Sequence, residues 1–227
     1  MQQANIFIIV PVYNENEVLR TTVVPLLEAG YRVVVVDDGS KCNQSRFLEN
    51  LPVFFLRHKT NLGQGAALQT GTDFSLQHGA DILVHFDADG QHRETDIALL
   101  TAPLIQNKAD IVFGSRFMNS ENKEIPLLKK ITLKAGRYVN LLFTGILLSD
   151  AHNGLRALNR KAAEQIVIKE NRMAHATEIL MQVKKNKLRY TEVPVHVRYS
   201  AYAKNKGQKS WHSIRIFYDL VLHKFFE

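Results

Sequence analysis

A chain of 227 residues with 45% hydrophobic side chains is within the range of one large α/β domain and can bury a sizeable core. Its single cysteine, Cys42, excludes an internal disulfide and suits a reducing cytoplasm. No charged and then apolar leader opens the chain, and no run approaches the roughly 18 apolar residues of a membrane span, so neither standard secretion nor self-sufficient membrane integration is expected. The formal charge of +7 is unevenly placed. From Arg116 to Arg137 six Lys or Arg stand against two Glu, and from Lys204 to Lys224 five stand against Asp219, while the remainder is close to neutral. Such patches bind partners. The aromatic interleaving and base-reading modules of nucleic-acid binders are missing, so phosphates on a small molecule, a lipid or a membrane surface fit better.

In chain order, the first apolar run, Ile6 to Val12, reads as a strand and finishes in the polar PVYNE, Pro11 to Glu15. A helical pattern covers about Asn16 to Ala29. Arg32 to Asp37, RVVVVD, is a continuous β-branched run of the kind buried on both faces of a parallel sheet, and it ends in Asp37, Asp38, Gly39 and Ser40. A short strand at Val53 to Leu56 precedes a helix opened by Gly65 that runs to about His78. A strand at Asp81 to Phe86, a helix around Thr95 to Gln106 and a strand at Asp110 to Phe113 follow. This alternation implies parallel strands with right-handed crossovers, a mostly parallel α/β sheet flanked by helices in a single domain. The domain is assigned to residues 1–211. Residues 212–227 form a separate amphipathic helix, with Ile214, Phe217, Tyr218, Val221, Leu222 and Phe225 on one face, packed on the domain or lying at a membrane surface.

The most informative stretch is LVHFDADGQH, Leu83 to His92. Residues i, i+2 and i+4 of an extended segment share a side, so Asp87, Asp89 and Gln91 offer two carboxylates and a carbonyl oxygen in one direction. Hard divalent cations such as Mg²⁺ or Mn²⁺ require such oxygens. An Asp-x-Asp alone can also close an ordinary polar turn. Here three strands finish in polar sequence, two of them in acids, and open α/β sheets bind ligands at that edge.

PVYNE, VVDDGS, NLGQGAAL (Asn61 to Leu68), DADGQH, GSR (Gly114 to Arg116) and D-x-x-x-G-x-R (Asp150 to Arg156) occur in this order, and the set resembles the family 2 glycosyltransferases. More narrowly it is similar to the branch of dolichyl-phosphate mannose synthase and the bacterial polyprenyl-phosphate glycosyltransferases. The resemblance implies a GT-A type fold, a UDP- or GDP-sugar donor and a divalent ion held by Asp89 that stabilises the departing diphosphate. It further implies that Asp87 contacts the ribose or metal region and Gln91 completes the metal shell. Pro11, Tyr13, Glu15 and Asp38 would cradle base and ribose, with Asp38 bonded to the base edge and Asp37 capping its turn. Arg116 matches the cationic residues that hold an acceptor phosphate, whereas Lys129 and Lys130 match only by approximate spacing. Where relatives commonly have Ser-Gly-Phe-Arg, this chain has Asn153, Gly154, Leu155 and Arg156, a departure that touches acceptor geometry.

A lipid phosphate is already an anionic nucleophile, so a polyprenyl phosphate acceptor needs cations and no base. A saccharide hydroxyl, the alternative acceptor in surface polysaccharide assembly, needs a base, for which Asp150 and Glu178 are the candidates. A nucleotide-sugar-binding subunit without turnover is the remaining alternative, and the intact DADGQ argues against it. Lys130, Lys134 and Arg137 fall on one helical face beside an apolar stripe, as suits a helix over an amphiphile. Ala201 to Trp211 reads as a basic loop that closes over diphosphates, with Lys206 and Lys209 contacting the donor. His152 and His175 read as packed or solvated residues. The enzyme is expected in the cytoplasm, peripheral at the inner face of the membrane, reaching the lipid through the final helix, the first basic patch or a separate membrane partner.

Overall fold

Period-two burial on β-branched runs organises the molecule. The computed structural model describes residues 4–15, 18–118, 141–142, 144–150, 153–171 and 174–198. His152, the Lys130, Lys134 and Arg137 face, Lys129, the 201–211 loop with Lys206 and Lys209, and the 212–227 helix lie outside the described residues. Strands β1 (Ile6–Val12), β2 (Arg32–Asp37), β3 (Phe54–Arg57) and β4 (Ile82–His85) alternate with helices α1 (Val18–Glu28) and α2 (Gln64–Gln77). Helix α3 (Asp96–Ile105) leads to β5 (Ile111–Ser115), followed by β6 (Arg156–Asn159), α4 (Arg160–Gln165), α5 (His175–Lys185) and β7 (Tyr190–Pro194), and a short 3-10 turn at Gln44–Leu48 links β2 to β3.

The seven strands lie in the order β3-β2-β1-β4-β6-β5-β7. Along β1 and β2, alternate residues enter opposite layers. Phe7, Ile9, Val34 and Val36 join Leu83, Ile111 and Phe113 beneath α2, α4 and α5. Ile8, Val10, Val33 and Val35 join Val84 and Val112 against α1 and α3. Both faces of the sheet are therefore covered, which is why the second strand is apolar at every position from Val33 to Val36.

The sheet is mostly parallel, as the alternation of elements implies, and the exception is β6, which pairs antiparallel with both β4 and β5. The chain leaves β5 at the edge where β1, β2 and β4 end, and it re-enters the sheet from that same edge. The reversal places the start of β6 beside the carboxyl ends of the parallel strands, so GSR and D-x-x-x-G-x-R meet there. The order of β1, β2 and β3 on one side and β4 on the other makes the β1/β4 crevice the topological switch point of the sheet.

Candidate active site

The ends of β1 and β2 are stitched together. Asn14, with φ 53°, donates its backbone N–H to Ser40 Oγ at 2.8 Å and accepts from the Lys41 N–H at 3.0 Å. Asp37 accepts the Ser40 N–H at 3.0 Å and pairs with Arg57 at 3.3 Å, so it caps its own turn. Asp38 is buried. Its Oδ1 accepts the Leu62 N–H at 2.9 Å and lies 2.8 Å from His58 Nδ1, and its Oδ2 accepts the Gly63 N–H at 2.7 Å. The His58 ring is fixed at its other nitrogen by Thr70 Oγ1, 2.9 Å away. Asp38 therefore organises the Asn61–Gly63 turn that opens α2. Among the neighbouring residues named from the sequence, Tyr13 is exposed, Pro11 half-buried and Glu15 buried.

At the end of β4 the Asp-x-Asp occupies the switch point. Gly90, with φ 72°, turns the chain, and Thr22 of α1 donates to the Ala88 carbonyl at 3.3 Å. Asp89 Oδ1 accepts the Gln91 N–H at 3.0 Å, and the Gln91 side-chain amide donates to Asp89 Oδ2. Asp87 Oδ1 accepts from Gln64 Nε2 of α2 at 2.9 Å, and its Oδ2 lies 3.5 Å from His92 Nε2. Beyond β7, the Arg198 N–H donates to the Gln91 carbonyl at 2.8 Å, and His92 bridges to Val197.

The two carboxylates are shifted in opposite directions. Burial works to raise the pKa of Asp87, but the hydrogen bond from His92 and the positive field of His92, Arg156 and His175 outweigh it and leave Asp87 below the usual range. Burial, and next the charge of Asp87, push Asp89 upward against its bonds to Gln91. Behind them Arg156 is fully buried, and desolvation lowers it to about 10 although Asp87 favours its charge. His85, also fully buried, is held neutral first by burial and then by Arg156 and His175.

Arg116 and Asp150, both proposed as catalytic groups from the sequence, are brought together. Arg116 donates its Nε to Asp150 Oδ2 at 2.6 Å and its backbone N–H to the same oxygen at 3.1 Å. Glu192 of β7 accepts the Ser149 N–H at 2.9 Å, the Ser149 hydroxyl at 2.7 Å and the Asp150 N–H at 3.2 Å, fixing the turn from which Asp150 projects. Glu178 is spent differently. Its carboxylate accepts the backbone N–H groups of Lys169 and Glu170, at 3.0 and 2.9 Å, and so tethers the segment before α5. His175 is buried at the start of α5.

The groups that a reading of the sequence left without a role are Gln64, His92, Gly154, Arg156 and Glu192. Gln64 lies inside NLGQG, His92 ends DADGQH, and Gly154 and Arg156 belong to D-x-x-x-G-x-R, so four of the five stood within recognisable motifs. Glu192 carried no such signal.

A divalent ion fits this donor set. Two carboxylates close enough for one to raise the other's pKa stand at the end of a strand, and a hard cation relieves their repulsion. Among the described residues no three His, Cys, Asp or Glu side chains form a ready cage. These residues would supply only part of a shell, as is usual where substrate phosphates and water complete it.

Residues 7–167 match the profile described as Glycosyl transferase family 2. The chain is 33% identical over 240 residues to the UDP-N-acetylglucosamine–dolichyl-phosphate N-acetylglucosaminyltransferase of Methanococcus voltae, covering 96% of each chain. It is also 33% identical over 157 residues to the undecaprenyl-phosphate mannosyltransferase of Micrococcus luteus, covering 66% of this chain and 64% of the relative. The glucosyl-3-phosphoglycerate synthase of Mycobacterium tuberculosis, solved with Mn²⁺, uridine diphosphate and glucosyl-3-phosphoglycerate, superposes with a TM-score of 0.65 at 15% identity, over 89% of this chain and 75% of that one. That likeness establishes the shared GT-A fold. The chain belongs to glycosyl transferase family 2 and is a nucleotide-sugar glycosyltransferase.

Proposed function

We propose that this glycosyltransferase moves a sugar from a nucleoside diphosphate to a polyprenyl phosphate, with inversion at the anomeric carbon and with a divalent ion. The observation that carries the acceptor is the state of the two candidate bases: Asp150 is paired with Arg116, and Glu178 is occupied by backbone N–H groups. A saccharide hydroxyl needs a free base near neutral pH. A phosphate monoester does not. Its oxygen attacks the anomeric carbon from the face opposite the leaving group, one carbon–oxygen bond forms as the bond to the diphosphate breaks, and no proton has to be moved.

Asp89, with Asp87 and Gln91 beside it, would hold the ion, which when bound offsets charge on the leaving diphosphate. Arg116, at the opposite lip, would hold the incoming phosphate, and Asp150 keeps its guanidinium aimed. Pro11, Tyr13 and Glu15 line the β1 side for the nucleotide, with Asp38 shaping that wall. Lys206, Lys209, Lys130, Lys134 and Arg137 remain proposed phosphate contacts. No helix among the described residues is long and apolar enough to cross a membrane. In this reading the lipid is met at the membrane's inner face, through the basic segments or a separate membrane partner.

The test is transfer of radiolabel from UDP-N-acetylglucosamine, the donor named for the Methanococcus voltae relative, and from other UDP- and GDP-sugars. Label should partition into organic solvent only when polyprenyl phosphate and Mn²⁺ or Mg²⁺ are present. Label on a soluble saccharide instead, with none on the lipid, would overturn the acceptor assignment.

A further inference from the structure

The short reversed strand β6 begins with a charged residue buried in the sheet. Arg156 is 3% exposed, faces His85 across the β4–β6 pairing and donates its Nε to the Gly154 carbonyl at 3.3 Å. Gly154 in turn is pressed against Asp87. A methyl group placed on it would lie 2.2 Å from Asp87 Oδ2 and 2.8 Å from Cγ, far inside van der Waals contact. The carboxylate thus lies flat on the Gly154 backbone, held at its other oxygen by Gln64. Arg156 thus holds the carbonyl of the residue on which the Asp87 carboxylate is seated.

We propose that Gly154 and Arg156 are positioning residues for Asp87: Gly154 leaves the space into which the carboxylate seats, and Arg156, bonded to the Gly154 carbonyl from within the sheet, holds that stretch of backbone against it. This rests on the donor reading above. It separates the two carboxylates by task, because Asp87 is seated on the Gly154 backbone and held by Gln64, whereas Asp89 is held by Gln91 of its own turn. It also gives the D-x-x-x-G-x-R segment a role on the donor side, although its first residue serves Arg116. An arginine suits this place better than a lysine because its planar guanidinium reaches the Gly154 carbonyl in a fixed geometry.

The experiment is a pair of double-mutant cycles on the full chain. Binding of Mn²⁺ to the free protein by electron paramagnetic resonance, and of UDP with Mn²⁺ by calorimetry, are measured for wild type, Arg156→Met, Arg156→Lys, Asp87→Asn and Asp87→Asn/Arg156→Met. Arg156→Met should weaken UDP–Mn²⁺ binding at least tenfold and Arg156→Lys should restore part of it. In the Asp87→Asn background the Met substitution should add little. Binding by Arg156→Met equal to wild type, or an equal loss in both backgrounds, overturns the proposal. Should Arg156→Met not fold, Gly154→Ala decides by melting temperature alone: it should lower Tm in wild type and leave it nearly unchanged in Asp87→Ala, where the clash is gone. Equal lowering in both backgrounds overturns the positioning role. That cycle needs no ligand, so a wild type that binds no nucleotide diphosphate would refute the donor reading and leave the Tm cycle to decide this one.

Discussion

The Nε of Arg116 meets Oδ2 of Asp150 at 2.6 Å, joining the last residue of GSR to the first of D-x-x-x-G-x-R across 34 positions of sequence. The contact exists because β6 runs against its neighbours and starts at the edge where β5 ends. An arginine so held is aimed. The second oxygen, Oδ1, is buried and has no hydrogen-bond partner among the described residues.

Replacing Asp150 with Ala should therefore act first on stability. Removing Asp150 takes away the carboxylate that bonds both the side chain and the backbone N–H of Arg116, and breaking a buried pair costs about 3–5 kcal/mol. Because a tenth of the Arg116 side chain reaches solvent, the low end applies. Asp150→Asn, which keeps an oxygen for the Arg116 N–H groups, should cost less. Urea unfolding measures both. A general base would give the opposite pattern, with Asp150→Asn abolishing transfer at unchanged stability.

Asp38→Ala should loosen the wall of the nucleotide cleft as well as any contact to the base. It strands two backbone N–H donors, of Leu62 and Gly63, and unpins His58. Each unpaired buried group costs on the order of 1–3 kcal/mol. At roughly 2–4 °C per kcal/mol for a chain of this size, the melting temperature should fall by several degrees. Nucleotide affinity by calorimetry should fall with it. An unchanged Tm would mean that the Asn61–Gly63 turn holds itself.

Legibility in the sequence followed the range of the interaction. The bounds of β1 and β2 were readable to the residue because their side chains are apolar at nearly every position. The third strand lies at Phe54–Arg57, one residue later than its sequence suggests, since Val53 is apolar yet precedes the pairing with β2. After Ser115 the elements were not legible. Arg156 opens β6 and Glu192 interrupts β7, so neither shows an apolar run, and α4 is too short for a helical period. In the site, Asp87, Asp89 and Gln91 are neighbours by chain geometry alone. Gln64 with Asp87, His58 with Asp38 and Glu192 with Ser149 are joined only by the fold, and no spacing encodes them.

Asp110 predicts the acid limb of stability. Its carboxylate accepts the side-chain and backbone N–H groups of Arg189 and the amide of Asn159, and the Arg189 side-chain bonds above all hold it well below the usual range, against burial. A carboxyl depressed in the folded state adds stability that is fully present above the unfolded value, about 4, and is lost as pH falls towards the folded one. Asp110→Asn should thus lower Tm at neutral pH, and the gap from wild type should narrow steadily as pH drops below about 4. Thermal melts across the acid range check it. A gap that does not change with pH would assign the contact to packing alone.

Asp89 gives the most direct test of the donor side, because its two effects have opposite signs. Burial and the charge of Asp87 both disfavour its ionised form, so at neutral pH, without an ion, the carboxylate adds repulsion to the folded state. Asp89→Ala should consequently melt at or slightly above the wild-type temperature in chelator. The same substitution removes the carboxylate proposed to hold the ion, so the stabilisation that UDP and Mn²⁺ together give wild type should disappear. Binding raises stability by RT ln(1 + [L]/Kd), about 2.7 kcal/mol at a hundredfold excess over Kd, and that increment is the signal to follow. Thermal melts with UDP, with Mn²⁺, with both and with chelator, on wild type and variant, read both signs in one experiment. A variant that UDP and Mn²⁺ stabilise as they do wild type, or a wild type whose response to UDP survives chelator, would remove Asp89 from the metal site.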